Sequence, residues 1–297
     1  MTSVSVVNEQ NNNKFHNFAI GATGAIVGYE AEPYIGNVLY KSIKKVLPSD
    51  FKSVRGGDFD KYIQKVIEQN DLKNGFQVLN LNKNTAEELR KKFKLNKKPK
   101  FSNLQKIIFH IMRKSPERFE RTFNSTLEGY QAFCLPNMNL VVCNLDKFGA
   151  SVFHEIAHKL NSQSKNIIVK ALSKSRNHIA GLGTVVVSMV AMLTDPKNKR
   201  KDPEKNLDKV DNFIKDNCGL CATAMVLPKT IEEFIANSKG TKIAKKAGVS
   251  GELLNKVKKT HNISRISYAI GAVVTGLSVF LASKLRDYIC SYKKETI

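Results

Sequence analysis

Tryptophan is absent from this 297-residue chain, and acidic residues are scarce, 26 against 48 lysines and arginines. The resulting formal charge of +22 predicts an anionic partner, either nucleic acid or an acidic membrane surface. Nucleic acid is disfavoured, because no basic segment is interleaved with aromatics. The two extended basic runs, Arg90 to Lys100 and Lys197 to Lys205, read as solvated faces and loops. The five cysteines lack small-domain spacing, which excludes a disulfide framework. Cys218-Gly-Leu-Cys221 stands alone, with no second pair and no strand-helix context, and reads as small residues of a helix. Little positive charge precedes the first apolar stretch, so no secretory signal is expected there. The apolar fraction of 42% excludes wholesale disorder.

What is present begins with a polar, Asn-rich tail over 1–14. An apolar segment, 18–36, is cut short by Glu30, Glu32 and Pro33; it reads as a buried or membrane-inserted helix. From 38 to 128 the pattern is mostly helical, amphipathic and basic. FDKYIQKVIEQN (59–70) and NTAEELRKKFKL (84–95) show three- and four-residue apolar spacing, the second opening on a cap at Asn84 or Thr85. GFQVLNL (75–81) is strand-like, and YQAFCLPNMNLVVCNL (130–145) reads as a β-hairpin or two strands. Two charge-free segments follow, 179–193 and 266–283. The second just reaches spanning length and the first falls short. Gly271 and Gly276 suit close helix packing in lipid, and Arg265 and Lys284 bracket the second segment for snorkelling.

The chemistry sits in SVFHEIAHKL, 151–160. On a helix, His154 and His158 lie one turn apart on one face and can grip one ion, with Glu155 placed as general base towards a water on it. No Gly or Pro interrupts 150–172, and Ser151 suits the N-terminal cap. A catalytic zinc needs a third protein ligand. No acid occurs between Lys159 and Thr194, and Asp195, Asp202 and Glu204 sit in a loop-like stretch. The candidates are His178 and, on a helix expected to begin after Pro228, the adjacent Glu232 and Glu233. Sequence alone does not fix the helical phase that would choose between these two. His16, His110 and His261 stand alone and read as surface or core. If 179–193 crossed a bilayer by itself, Glu233 would lie across the membrane from His154. The zinc assignment therefore requires 207–227 to pair back on 179–193 as a hairpin.

Glu233-Phe-Ile-Ala-Asn237 resembles the E-x-x-A-D element that follows HExxH in the HtpX-like and CAAX-prenyl-protease family of zinc metalloproteases. QAFCLPNMNLVVCNL is similar to that family's active-site edge strand. The resemblance covers about 131–160 and 229–240. It implies His154, His158 and Glu233 as Zn2+ ligands, Glu155 as catalytic base, and Asn237 as a hydrogen-bonding support for a ligand imidazole. It also implies that the backbone of Ala132, Phe133, Cys134 and Leu135 pairs with an extended peptide or protein substrate. Two departures stand out: Asn137-Met138 replaces a glycine pair, and Asn237 replaces an aspartate. The expected fold is α+β, mostly α: a zincin-like metalloprotease domain with a small sheet and membrane-associated hydrophobic helices. The expected divisions are a tail and hydrophobic helix (1–37), a basic helical region (38–128), the metalloprotease core (129–261) and a C-terminal hydrophobic helix with its tail (262–297). The expected activity is a zinc endopeptidase held at an anionic membrane; the alternative is a catalytically inactive membrane-associated helical interaction protein.

Overall fold

A computed structural model describes residues 57–72, 75–93, 116–194 and 206–295. The tail, the first apolar segment, His16, His110 and most of both basic runs lie outside the described residues. The chain is mostly helical with one three-stranded sheet. It divides into two compact units, each made of separate stretches: of the described residues, 57–177 and 229–268 form one, 178–228 and 269–295 the other.

The first unit is organised by a sheet of order β1-β3-β2. Strand β1 (Gln77–Asn80) runs parallel to β3 (Leu140–Cys143), and β2 (Phe133–Leu135) antiparallel to it, with Cys134 opposite Val141. The expected hairpin is present. A 3₁₀ turn, Pro136–Met138, and a left-handed Asn139 (φ 52°) reverse the chain between β2 and β3. All four residues of β3 are buried, and its alternation divides the core. Val141 and Cys143 face one cluster with α1 (Gly57–Gln69), through Phe59, Ile63 and Val66, and with α5 (Val152–Ser162), through Phe153 and Ile156. Leu140 and Val142 face a second cluster with α2 (Ala86–Lys92), through Leu89, and α3 (Pro116–Leu127), through Phe123.

Two expected caps moved. Thr85 makes no side-chain cap to α2; instead Asn82 Oδ1 accepts from the backbone N–H groups of Asn84 and Thr85. Ser151 does not cap α5 either, because a short helix α4 (Leu145–Phe148) and a 3₁₀ turn lead into it. Asn144 caps α4 by accepting from Lys147 N at 3.0 Å, while Ser151 Oγ donates to Phe148 O. At α2 an earlier Asn meets the leading N–H groups, and at α5 the preceding 3₁₀ turn does so, with Val152 N–H bonded to Gly149 O.

Helix α6 (Ile167–His178) continues through a π turn (Ile179–Gly183) into α7 (Thr184–Leu193). The charge-free stretch 179–193, short by itself, is thus the end of a 27-residue helix. After α8 (Asn206–Asp216) comes α9 (Cys218–Lys246), which is continuous through Pro228. The expectation of a helix start after Pro228 is corrected: proline costs one backbone bond there, and apolar packing of 218–227 carries the helix past it. The last element, α10, spans Gly251–Glu295.

In the second unit Val187 and Ala191 of α7 pack on Cys218 and Ala222 of α9 and Val279 of α10. A Cβ at Gly276 would collide with Thr223 and the carbonyl of Gly219, so α9 and α10 cross there backbone to backbone. Lys215 of α8 donates to Ala191 O at 2.7 Å and pairs with Asp287 at 2.8 Å, which closes 179–193 back against 206–228 as a hairpin. Leu182, Val186, Leu220, Leu277, Leu281 and Leu285 are exposed. Two helices, Ile167–Leu193 and Gly251–Tyr288, are long and apolar enough to cross a membrane.

Candidate metal centre

The α5 helix buries the whole of His154-Glu155-x-x-His158 because Val152, Phe153, Ile156 and Ala157 anchor it in the core. The two imidazoles meet edge to face with centroids 4.4 Å apart. Helix α9 lies against α5 at Gly240, where a Cβ would stand 2.9 Å from Phe153 O and 3.0 Å from His154 N. That close approach, open only to glycine, brings the buried face of α9 onto the two histidines.

Glu233 is the acid that joins them. Its Oε2 is 3.1 Å from His154 Nε2 and 3.3 Å from His158 Nε2, and the two ring nitrogens are 2.9 Å apart. Among the described residues these three are the group able to hold a metal ion. The circle through the three atoms has a radius of about 1.8 Å, just under a zinc–nitrogen bond of about 2.0 Å. The three atoms are therefore spaced so that His154, His158 and Glu233 could together hold such an ion. The donor set agrees: two imidazole nitrogens and a carboxylate oxygen converge, and Oε2 takes no other hydrogen bond.

Glu232, the neighbouring candidate, has a different place. Its Oε1 faces His158 Nδ1 at 3.0 Å and accepts from Asn161 Nδ2 at 3.1 Å. A carboxylate on the far nitrogen of a ligand imidazole fixes the tautomer and raises basicity. His178 ends α6 and is not in the cluster. Asn237, expected to support a ligand imidazole, does not: its Nδ2 donates to Ser264 and its Oδ1 is buried without a hydrogen bond. Glu232 fills that role because it faces α5 one turn earlier along α9. His261 is a core residue, as expected, bonded to Thr241 Oγ1 at 2.7 Å. Burial, with His154 and Arg265 adding, pushes it down to about 3, so it stays neutral.

Arg176 of α6 completes the site. Its Nη1 donates to Glu232 Oε2 and, at 2.7 Å, to Glu233 Oε1, which leaves Glu233 Oε2 turned to the histidines. Burial opposes ionisation of both acids, yet His158 and Arg176 hold Glu232 below the usual carboxylate range and Glu233 well below it. Burial and Arg176 push His158 down, but Glu233 and Glu232 outweigh them and raise it to about 9. Asn161 was findable in the sequence, since 154, 158 and 161 continue one helical face. Arg176 carried no local signal.

Strand β2 flanks the site. Burial and then the Glu155 carboxylate raise the Cys134 thiol. Lys159 donates to Pro136 O at 2.9 Å and ties the hairpin to α5. Ala132, Phe133, Cys134 and Leu135 are half-buried. Among the described strands β2 pairs only with β3, so its other edge meets no strand.

These features define a buried two-histidine, one-glutamate cluster on two packed helices. Comparison with protein-family models, curated proteins and solved structures gives no match for the chain.

Proposed function

We propose that the protein is a membrane-associated zinc endopeptidase of zincin-like fold, similar in its chemistry to the HtpX-like and CAAX-prenyl-protease family. The observation that carries the reading is the convergence of His154, His158 and Glu233 within 4.8 Å, with Glu155 beside the first of them. A zinc ion held there would polarise a scissile carbonyl and acidify a water. Glu155 would serve there as the proton carrier, general base first and then general acid towards the leaving amine. Glu232 keeps His158 in the tautomer that presents Nε2, and Arg176 keeps Glu233 presenting Oε2. The open edge of β2 receives an extended peptide by strand addition. The charge of +22 holds the domain against anionic head groups.

The second reading is a catalytically inactive membrane-associated helical interaction protein. It draws on the ion pairs of Arg176 with Glu232 and Glu233 and of His158 with Glu232, which neutralise the cluster without a metal. Glu155→Gln separates the two readings. Under the first, the variant keeps about one zinc per chain and loses cleavage of a peptide library about 100-fold or more. Wild-type protein that binds no zinc after reconstitution, or cleaves nothing that E155Q spares, would sink it.

A further inference from the structure

The outward face of α9, opposite the metal-facing side, forms one wall of an open groove of about 440 Å³ in the first unit. Ile231, Phe234 and Ile235 line it together with Val169 of α6, and Lys239 and Lys242 stand at its end. Ile231 and Phe234 are exposed, and so are Ile167 and Ile168 at the start of α6, at 79% and 66%. Exposed lysines Lys165 and Lys170 flank these isoleucines. Along α9 the groove thus passes from apolar to cationic within about two turns. Asn161, Ser164 and Ser238 complete the lining, and the exposed wall of the groove is still mainly hydrocarbon.

We infer that this groove binds one anionic membrane lipid, an acyl chain along Ile231, Phe234 and Val169 and the head group on Lys239 and Lys242. The inference rests on the membrane association proposed above and not on the zinc chemistry. Charge complementarity selects the occupant: an acyl chain fits the apolar wall, and an acidic head group meets the two lysines. The apolar start of α6 leads directly into a helix long enough to cross a bilayer. The site also touches the metal centre's supports. Lys239 Nζ donates to Asn161 Oδ1 at 3.2 Å, and Asn161 holds Glu232, which holds His158. A head group that draws Lys239 away reaches that chain of bonds at its outer end.

The absence of tryptophan makes the test direct. Phe234→Trp places a single reporter in the groove, and Leu277→Trp, in a separate protein, places one on an exposed face of α10. Each full-length variant is reconstituted in bilayers carrying brominated acyl chains on either phosphatidylglycerol or phosphatidylcholine, at equal bromine content. The expected result is quenching of F234W with a preference of about tenfold for the anionic lipid, abolished by adding Lys239→Gln and Lys242→Gln. Quenching of L277W alone would overturn the groove assignment and leave the membrane reading intact. Equal quenching of F234W by both head groups would overturn the anionic site. An unquenched F234W whose emission shifts on adding an extended peptide would assign the groove to peptide. Quenching of neither variant would remove the membrane reading and the groove with it.

Discussion

Glu232 and Glu233 are neighbours with the same side chain, and the structure gives them separate tasks that isosteric substitution can tell apart. Glu233→Gln removes the carboxylate whose Oε2 faces both ring nitrogens at 3.1 and 3.3 Å. If zinc binding of about 12 kcal/mol is shared among three ligands, losing the anionic one costs about 4 kcal/mol, roughly a thousandfold in affinity. Glu232→Gln keeps an oxygen opposite His158 Nδ1, 3.0 Å away in the wild type, and removes only the charge behind the ligand. Such supports contribute ~10- to 100-fold in metal affinity, about 1.4–2.7 kcal/mol. Zinc affinity would be measured by competition with a chromophoric chelator, and a thermal melt of each zinc-free variant would show that it is folded. The expected order is wild type, then E232Q, then E233Q, with at least a tenfold gap between the variants. Equal losses, or a larger loss in E232Q, would refute the division of roles. Wild-type affinity in both would show that this cluster holds no metal.

Three further outcomes are expected. The zinc-free protein carries a proton on His158 at neutral pH, its value being raised to about 9. Zinc should expel that proton below pH 9 and none well above it, so affinity rises with pH and then flattens. Calorimetry in buffers of different ionisation enthalpy reads the proton, and a buffer-independent heat at pH 7 would contradict the assignment. Because the folded value lies above the ordinary 6.5, the same proton stabilises the zinc-free fold fully below pH 6.5, and that contribution fades as pH rises through 9. Gly240→Ala puts a methyl against Phe153 O and His154 N and should destabilise by about 1–3 kcal/mol; an unchanged melting temperature would mean that α5 and α9 are not in register here. Asp287→Ala strips the shared partner from buried Lys215 and Arg286 and should cost about 3 kcal/mol or more. Adding Lys215→Met should recover part of that in denaturant unfolding, and no recovery would argue against the ion pair.

The sequence disclosed what depends on local spacing. His154 and His158 were placed by a one-turn interval, and β1, β2 and β3 by short apolar runs between turn residues. The burial of all four β3 residues follows from its central place, which no local pattern states. The sequence narrows the third ligand to His178 and two neighbouring glutamates, and only the packing of α9 on α5 shows that Glu233 faces both Nε2 atoms while Glu232 faces His158 Nδ1. Arg176 escaped notice because its role exists only once α6 passes beside α9. The caps differ for a physical reason: Asn82 stands earlier in the chain and binds the leading N–H groups before α2, and a 3₁₀ turn feeds α5 so that its first N–H meets Gly149 O. Pro228 read as a boundary because its cost is local, whereas the contacts of Ala222 and Val226 that outweigh it are not.

His158 and Glu232 touch although they lie 74 residues apart in the chain, and the hairpin of 178–228 is strung between them. An ion bridging α5 and α9 is, in chain terms, a removable staple across that loop. By the measure used for covalent cross-links, closing such a loop removes about 4.5 kcal/mol of unfolded-state entropy. The ion would then set the lifetime of the protein as well as its chemistry. A proteolysis time course with and without chelator reads this, since unchanged rates would deny the staple. Faster cleavage on chelation would mean that a cell short of the metal loses the molecule itself.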